Sequence, residues 1–395
     1  MSVAISVFAL SLFILFYIYF GYPLLCVVMA KLKALRSSSA VTKKPAHAVE
    51  SSLPMVSILI PAFNEESVIE DTIVNKLHSR YPSDKLEIIV VSDESEDNTD
   101  AIVERLSIDS TVPIKLIRQT PRQGKTSGLN KAIDQCSGSI IVFSDANSIY
   151  DQDAIHQLVE KFDDPTVGYV TGLMMYKTSK DGTSLGCSAY MRYENFLRKY
   201  ESLISSVVGV DGGIDAIRRD LFTRLNPDQL PDFVQPLHVV KQGYKVAFAQ
   251  DAILIEEALD DPGKEYRMRV RVSLRAFWGL WDMKALFNPL RYGFFSVQLI
   301  SHKLLRYLAF MPQTLLFLSN VFVVQVHSSF MLILIGQSLF YCLAVLGFRR
   351  TRQLKALPML LYIPYYFCLL NYTSLGAFVL FIRGKKIVMW KPREG

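Results

Sequence analysis

The sequence predicts an α/β domain with a mostly parallel β-sheet, held at a membrane by one N-terminal helix and a C-terminal group of transmembrane helices. Three observations predict this fold. Short β-branched runs alternate with helical patterns in the first half of the chain, which is typical of a parallel sheet covered by helices on both faces. Apolar runs long enough to cross a bilayer lie near both ends. Acidic residues are dense between Glu65 and Asp282, and beyond Asp282 only Glu394 is acidic, so the soluble part lies in the middle.

Residues 1–36 are predicted to form the first transmembrane helix. The run from Val3 to Ala30 is almost wholly apolar, and at about 1.5 Å per residue it is long enough to cross the bilayer. It lacks the basic start and short apolar core of a signal peptide. Lys31, Lys33 and Arg36 follow it, so the positive-inside rule places the N-terminus outside and the next domain in the cytoplasm. Residues 37–53 are polar and predict a linker.

Residues 54–262 are predicted to form the α/β domain. Its strands are predicted at Val56–Pro61, Leu86–Ser92, Ile114–Arg118 and Ser139–Ser144. The helices that follow them are predicted at Val68–Ser79, Asp97–Ser107, Thr126–Cys136 and Gln152–Phe162. Ligands of such sheets bind beyond the carboxyl ends of the strands. The polar signatures of this sequence lie at those ends.

The remaining residues predict membrane-associated helices. Residues 263–300 are expected to form amphipathic interfacial helices, because arginines and aromatic residues alternate there. Residues 301–386 predict transmembrane helices, with spans at Leu304–Val326 and Ser329–Phe348. In Ala356–Ile382, two prolines interrupt the apolar run and a basic tail follows, which favours a re-entrant hairpin over a single crossing. Residues 387–395 are then a cytoplasmic tail.

Composition excludes several other classes. The net charge of +6 favours attraction to a membrane surface and argues against nucleic-acid binding, because the basic residues flank apolar segments. The five cysteines show no CxxC and no metal-ligand spacing, so we expect reduced thiols. The first helix does not open with GxGxxG, which argues against a dinucleotide-dependent oxidoreductase.

Polar residues follow the first two predicted strands. The first strand leads into Pro61, Asn64 and Glu65, and the second leads into Asp93 and Ser95, with Asp97 and Thr99 beyond. Each cluster alone also fits a helix cap or an acidic first turn. Because both lie at the same edge of a parallel sheet, they predict a crevice wall that hydrogen-bonds a base and a ribose.

The third and fourth strands lead into residues suited to phosphate and metal. Arg122, Gly124, Lys125 and Asn130 follow the third strand. Glycine permits close approach of the backbone, and the basic side chains can neutralise phosphate. After the fourth strand, Asp145 and Asn147 are spaced to point to one side. They predict two oxygen ligands for Mg²⁺ or Mn²⁺ that also binds a diphosphate, although an isolated Asp-x-Asn is more often a turn.

In this order the motifs resemble those of family 2 glycosyltransferases of the membrane-bound exopolysaccharide type, which have the Rossmann-like GT-A fold. The family pattern PxxNE, DxSxDxT, RxGKxxxxN and DxD or DxN matches Pro61, Asn64 and Glu65; Asp93, Ser95, Asp97 and Thr99; Arg122, Gly124, Lys125 and Asn130; and Asp145 and Asn147. The resemblance implies nucleotide-sugar contacts from Pro61, Asn64, Glu65, Asp93, Ser95, Lys125, Asn130, Gly212 and Gly213. Of these, Asn64, Glu65 and Asp93 would contact a uridine-type nucleoside, and the two glycines would lie near the donor sugar.

The resemblance also implies a catalytic base in an acidic pair ahead of a helix and a Gly-Tyr turn. The matching run contains Asp232, but the neighbouring position holds Pro231. One carboxylate suffices for an inverting transfer, and a helix N-cap is the alternative. The QxxRW motif of processive members is missing around Arg275. Arg271 and Arg275 could still close over the diphosphate, and a face toward lipid headgroups fits equally well.

The expected function is an inverting, metal-dependent transfer of a sugar from a nucleotide-sugar, with UDP the expected nucleotide, to a polysaccharide or lipid-linked acceptor. The expected setting is the inner or plasma membrane with the catalytic domain in the cytoplasm, in contact with the lipid bilayer and with other polysaccharide-export components, and without nucleic acid. The alternative is a non-catalytic scaffold with a decayed nucleotide-sugar-binding domain, which Pro231 and the missing QxxRW encourage.

Overall fold

The computed structural model describes residues 2–37, 53–176, 182–256, 262–325, 327–352 and 357–387. The predicted linker, apart from its two ends, and almost all of the predicted tail lie outside the described residues. The chain divides into two compact units. The first, here called the sheet unit, contains Leu32–Met175 and Arg198–Glu256. The second, the helical unit, contains Met1–Lys31, Tyr176–Leu197 and Glu257–Lys386.

Within the described residues, the strands and helices are numbered in chain order. The strands are β1 (Val56–Ala62), β2 (Leu86–Ser92), β3 (Ile114–Arg118), β4 (Ile140–Phe143), β5 (Ile149–Tyr150), β6 (Val167–Tyr176), β7 (Asp215–Arg218) and β8 (Lys245–Glu256). The helices are α1 (Ser2–Phe16), α2 (Tyr22–Ser37), α3 (Ile69–Leu77), α4 (Thr99–Asp109), α5 (Lys125–Ala132), α6 (Ala154–Glu160), α7 (Gly182–Ile204), α8 (Pro231–Lys241), α9 (Pro262–Asp282), α10 (Pro289–Tyr292), α11 (Phe294–Leu299), α12 (Leu305–Tyr307), α13 (Phe310–Val323), α14 (Phe330–Thr351) and α15 (Met359–Ile382).

The strands form one sheet in the order β3-β2-β1-β4-β7-β6-β8-β5. The four predicted strands make its parallel half, β3-β2-β1-β4. The strand β7 pairs antiparallel with both β4 and β6, and this mixed half was not predicted. Every residue of β1, β2 and β4 is buried, as expected for a sheet covered on both faces. The predicted α/β fold class is therefore confirmed.

The core of the sheet unit forms where helices pack on the parallel strands. Ile58, Ile88 and Val142 from β1, β2 and β4 are fully buried with Ile73 of α3 and Leu158 of α6. Burying each side chain of this size contributes about 1.5–3 kcal/mol. The register pairs Ala62 on β1 with its neighbour Ser92 on β2, so the segments after the parallel strands emerge at one edge of the sheet.

The helical unit contains most of the long apolar helices. Within the ranges that the structure describes, three helical stretches are long and apolar enough to cross a membrane: Val3–Arg36, Phe330–Thr351 and Met359–Ile382. The helix α13 is apolar but shorter, and it packs on α1 through Phe8, Leu316 and Val323. The chain therefore has the composition of a membrane protein.

The predicted re-entrant hairpin at the C-terminus is wrong, because α15 is one continuous helix of 24 residues. Pro358 stands at its N-cap, where its missing N–H has no cost, and Pro364 lies inside the helix. One lost intrahelical hydrogen bond costs less than exposing the backbone of a turn to lipid. The prediction gave too much weight to the basic residues that follow the helix.

The predicted interfacial helix corresponds to α9, which packs along α15. The ring of Phe277 lies 5.5 Å from that of Phe378, and Trp278 lies 4.7 Å from Phe381. Arg275 is only 7% exposed and Arg271 is half-buried. Both arginines therefore belong to the helical unit, and their predicted contact with a diphosphate stays a prediction.

Candidate active site

Asp93, at the end of β2, organises the loop that follows β3. Its Oδ1 accepts hydrogen bonds from the backbone amides of Gln123 at 2.9 Å and Gly124 at 3.1 Å, and from Gln119 Nε2 at 2.5 Å. Its Oδ2 accepts from Gly124 N at 3.0 Å and from Arg122 Nε at 3.2 Å. Gly124 has a φ of 87°, which only glycine adopts without strain. The carboxylate thus fixes the segment that leads into α5, and its predicted contact with a nucleoside stays a prediction.

The segments after β1 and β2 are bonded to each other. Asn64 has a φ of 54°, a left-handed conformation that asparagine tolerates. Its amide N–H donates to Ser95 Oγ at 3.2 Å, and its Oδ1 accepts from Glu96 N at 2.8 Å. The amide of Glu65 donates to Thr99 Oγ1 at 2.8 Å. These two clusters therefore form one wall, as the sequence predicted from their position.

Other motif residues in this wall have structural surroundings. Pro61 is buried within β1, opposite Val91. The guanidinium of Arg122 lies 3.4 Å from the centroid of the Phe63 ring, a cation–π arrangement that holds it beside Asp93. The side chain of Arg122 is 18% exposed, so one edge of this stacked pair still reaches solvent.

Lys125 and Asp145 form an ion pair where β4 ends. Lys125 Nζ donates to Asp145 Oδ1 at 2.6 Å. Burial alone would lower the pKa of Lys125, but the carboxylates of Asp145, Asp232 and Asp215 attract the ammonium and raise its pKa overall. The lysine is therefore a cation surrounded by acidic groups from the β4 end, the β7 start and the α8 start.

The helix α5 also anchors the segment that leads to α8. Asn130 Nδ2 donates to the carbonyl of Leu225 at 2.7 Å, and its Oδ1 accepts from the Leu225 amide at 3.1 Å. Thr126 Oγ1 donates to the carbonyl of Gln229 at 2.9 Å. Since its amide already bonds Leu225, Asn130 acts here on the chain that precedes Asp232. Its predicted contact with a nucleotide-sugar stays a prediction.

Asp232 lies in the first turn of α8, next to Gly212. The N-cap of α8 is Leu230 and has no side-chain hydrogen bond, so the alternative of Asp232 as an N-cap is wrong. Its Oδ1 is buried and has no hydrogen-bond partner. Its other oxygen lies so close to Gly212 that a Cβ on this glycine would be 2.5 Å from Oδ2. A carboxylate with an unused oxygen and a tightly fitting neighbour is suited to accepting a proton.

Sequence reasoning missed Asp215, the first residue of β7. It is fully buried, its Oδ2 accepts from Tyr169 Oη at 3.1 Å, and its Oδ1 has no partner. Burial raises the pKa of Asp215 well above its ordinary value, and the nearby carboxylates of Asp211 and Asp232 add to the rise. The run Asp-Gly-Gly-Ile-Asp carries the signal that could have found it, because acidic residues flank the predicted glycines.

Asp211, in the same run, anchors the glycines. Arg198 donates to both of its carboxylate oxygens, once at 2.7 Å, and Arg198 Nε also donates to the carbonyl of Gly209 at 2.9 Å. Both side chains of this pair are buried. A Cβ on Gly213 would lie 2.9 Å from Leu254 and from Ser148. The two predicted glycines therefore occupy positions where the backbone must pass close to other groups.

The predicted metal ligands stand on a tight turn. The amide of Ser148 donates to the Asp145 carbonyl at 3.2 Å, and the side chains of Asp145 and Asn147 are half-buried. Among the described residues, no group of three or more His, Cys, Asp or Glu is arranged to hold a metal ion. Magnesium in phosphate sites is usually bound by one or two protein carboxylates, with phosphate and water as the other ligands. The carboxylate and amide fit an ion that takes its remaining ligands from a diphosphate.

Comparison with known proteins places this site in context. Residues 57–225 match the model of Glycosyl transferase family 2. The chain is 39% identical over 123 residues, 30% of its length and 29% of the relative's, to the probable glycosyltransferase YdaM of Bacillus subtilis (strain 168). It is 34% identical over 134 residues, 34% of its length and 31% of the relative's, to poly-beta-1,6-N-acetyl-D-glucosamine synthase of Staphylococcus aureus (strain COL). The matched segments thus cover less than a third of either relative.

A solved structure resembles the chain over nearly its whole length. The mannosyltransferase PcManGT from Pyrobaculum calidifontis, solved in complex with GDP-Man and Mn²⁺, superposes with a TM-score of 0.68 at 20% identity. The superposition covers 96% of this chain and 99% of that one. At this identity the likeness establishes the fold, and it confirms the GT-A architecture. The family match confirms the resemblance predicted from the ordered motifs.

Proposed function

We propose that this chain, a member of the family 2 glycosyltransferases, moves a sugar from a uridine-type nucleotide-sugar to a polysaccharide or lipid-linked acceptor with inversion at the anomeric carbon. The observation that carries the proposal is the ion pair of Lys125 with Asp145, whose atoms lie 2.6 Å apart, together with the acidic groups of Asp215 and Asp232 near the same lysine. These groups come from separate segments and meet at the edge where the predicted motifs end. Parallel α/β sheets bind their ligands at that edge.

The residues at the end of β4 are suited to the leaving diphosphate. Asp145 and Asn147 would hold Mg²⁺ or Mn²⁺, and a bound ion of this kind neutralises the charge that develops on a leaving diphosphate. Lys125, 2.6 Å from Asp145, brings a second positive charge to the same place. Its raised pKa keeps that charge at neutral pH. Asp93 supports this arrangement by fixing the backbone of Gly124 immediately before the lysine.

Asp232 is the proposed general base. Its unused Oδ1 can accept the proton of the acceptor hydroxyl while that oxygen bonds to the anomeric carbon. The bond from the same carbon to the diphosphate oxygen breaks on the opposite face, so the configuration inverts. One base is enough for this step, so Pro231 in place of a second acidic residue leaves the chemistry possible.

The membrane setting is supported by the apolar helices of the helical unit. Lys31, Lys33 and Arg36 lie at the C-terminal end of the first of these helices, and the positive-inside rule then places the sheet unit in the cytoplasm. An enzyme in this setting draws its donor from the cytoplasmic pool. It would deliver its product at the inner or plasma membrane, where other components of polysaccharide export are the expected partners.

The test is sugar transfer by purified chain in detergent micelles, with a panel of radiolabelled UDP-sugars and Mn²⁺. Asp232→Asn is expected to reduce turnover by about 10²- to 10⁴-fold while UDP binding is kept. Asp145→Asn should weaken Mn²⁺ binding as well. Asp109→Asn, an exposed aspartate at the end of α4, is the matched control and should behave as wild type.

Two results would contradict the proposal. Turnover of Asp232→Asn at the wild-type rate would reject this residue as the base. A wild-type chain that neither transfers nor hydrolyses any donor of the panel would favour the alternative of a non-catalytic scaffold. The product also decides the acceptor class, because a polymer and a single sugar on a lipid separate by chromatography.

A further inference from the structure

The turn that carries Asp145 and Asn147 is held by helix α3, which contains no motif residue. Three polar side chains of α3, at spacings of three and four residues, lie on one face of the helix. Thr72 Oγ1 donates to the carbonyl of Ala146 at 2.6 Å. Lys76 Nζ donates to the carbonyl of Ser148, and Asn75 Nδ2 donates to that of Tyr150 at 2.9 Å. Alternate carbonyls of the turn are thus bonded by the same helix.

Lys76 is a charged residue type at a buried position. It is fully buried, and its ammonium lies 3.6 Å above the centroid of the Tyr150 ring and donates to Asn75 Oδ1 at 3.1 Å. The described part of the chain places no carboxylate within ion-pair distance of it. Burial lowers the pKa of Lys76 well below its usual value, so the site destabilises the charged form. Methionine would fill the same space without this cost, so stability alone does not explain a lysine.

The Tyr150 side chain extends the network toward the proposed base. Its hydroxyl lies 2.7 Å from the carbonyl oxygen of Gly213 and 2.9 Å from that of Phe143, and it can donate to one of them at a time. Gly212, the preceding residue, lies so close to Asp232 that an added Cβ would be 2.5 Å from its Oδ2. One buried network therefore connects the turn with the metal ligands to the segment beside the base.

We propose that Lys76 and Tyr150 are positioning residues that fix the spacing between the Asp145–Asn147 turn and the Gly212–Gly213 segment. This inference rests on the proposed function, because it assigns the two residues to the geometry of the same site. Lys76 acts by donating a hydrogen bond to the carbonyl of Ser148, the residue after Asn147. Tyr150 acts by placing its hydroxyl between the carbonyls of Phe143, the last residue of β4, and Gly213, and by donating to one of them.

The experiment measures Mn²⁺ binding by the loss of the electron paramagnetic resonance signal of free Mn²⁺, with UDP present. Lys76→Met is expected to raise the Mn²⁺ concentration at half-saturation by about tenfold, as is typical when a residue that orients a metal ligand is lost. Its melting temperature should equal or exceed that of the wild type, because a buried amine has been removed. Tyr150→Phe should lower kcat more than it weakens Mn²⁺ binding, because its hydroxyl contacts the Gly213 side of the network.

The control is Lys241→Met, a lysine on the exposed end of α8, which should leave Mn²⁺ binding, kcat and melting temperature unchanged. If Lys76→Met reaches half-saturation at a Mn²⁺ concentration within twofold of the wild-type value, the inference is overturned and the proposed function stays intact. A melting temperature that falls together with Mn²⁺ binding would make Lys76 a structural residue and would also overturn it. A wild-type chain that binds Mn²⁺ neither alone nor with UDP would overturn the proposed function, and this inference with it.

Discussion

Gly212→Ala tests the fit between this glycine and Asp232. An added Cβ would lie 2.5 Å from Asp232 Oδ2 and 2.8 Å from both Cβ and Cγ of the same side chain. Ordinary contact requires at least 3.4 Å, so the carboxylate must move by about 0.9 Å. Asp232 stands in the first turn of a helix, and its backbone cannot follow without moving α8. The displacement is therefore expected to fall on the carboxylate itself.

A shift of this size has a calculable effect on catalysis. Misplacing a catalytic group by about 1 Å costs about 10²-fold in rate, which corresponds to about 2.7 kcal/mol in the activation free energy. We expect kcat to fall by about that factor. UDP binding should stay near the wild-type value, because the three atoms nearest to the added Cβ all belong to Asp232. The loss should therefore appear in kcat and leave the affinity for the nucleotide intact.

The assay is steady-state transfer with the donor identified by the panel of UDP-sugars, together with a double-mutant cycle. If Gly212→Ala acts through Asp232, adding it to Asp232→Asn should cause no further loss. Gly336→Ala, on α14 where an added Cβ meets nothing within 4 Å, controls for a general effect of replacing glycine. Two results would refute this prediction. One is a double variant whose loss in kcat equals the product of the losses of the two single variants. The other is a Gly212→Ala variant with a kcat within twofold of the wild-type value.

Three further predictions concern stability in detergent micelles. The raised pKa of Asp215 contributes stability that is complete below its unfolded pKa of about 3.9 and is lost as pH rises through the folded pKa. Asp215→Asn should therefore melt at a higher temperature than the wild type at pH 8, by a margin that shrinks toward pH 4. An equal margin at both pH values would show that the pKa of Asp215 is not raised in the folded chain. Asp93→Asn replaces the charged acceptor of the Gly124 amide, and each hydrogen bond to a charged group contributes about 1.5–3 kcal/mol. We expect a lower melting temperature and faster proteolysis of the segment after β3. Unchanged proteolysis would contradict the role of Asp93 in fixing that segment. Glu194→Gln removes the buried carboxylate that pairs with the half-buried Arg306 and should lower the melting temperature. Adding Arg306→Met should partly restore it, and a double variant that melts no higher than Glu194→Gln would argue against the pair.

The parallel half of the sheet could be predicted because each strand signals itself locally. Both β2 and β3 begin and end where the β-branched runs do. For β2, which is buried throughout, the reason is that a strand covered on both faces is mostly apolar. The other half depends on pairing between distant segments. The four residues of β7 become a strand only by pairing antiparallel with β4 and β6, and no local pattern encodes that.

The site was predictable to a similar extent. Residues at the ends of parallel strands must meet at one edge, so the order of the motifs predicted the wall of Asn64 and Ser95. It also placed Lys125 and Asp145 at that edge, but their ion pair was not predicted. The partner of Asn130 is Leu225, 95 positions away, and Lys76 bonds to a carbonyl 72 positions away. Such partners are set by how helices pack on the sheet. Sequence spacing carries no information about them.

The ion pair of Lys125 with Asp145 has a consequence for how the site is loaded. The aspartate already has a counter-ion that belongs to the chain, so a free divalent cation gains little by arriving alone. Under the proposed function, we expect Lys125 to leave Asp145 when a diphosphate offers it another anion. The order of arrival follows: the cation and the nucleotide should enter together, as one complex, and the lysine should change partners as they do.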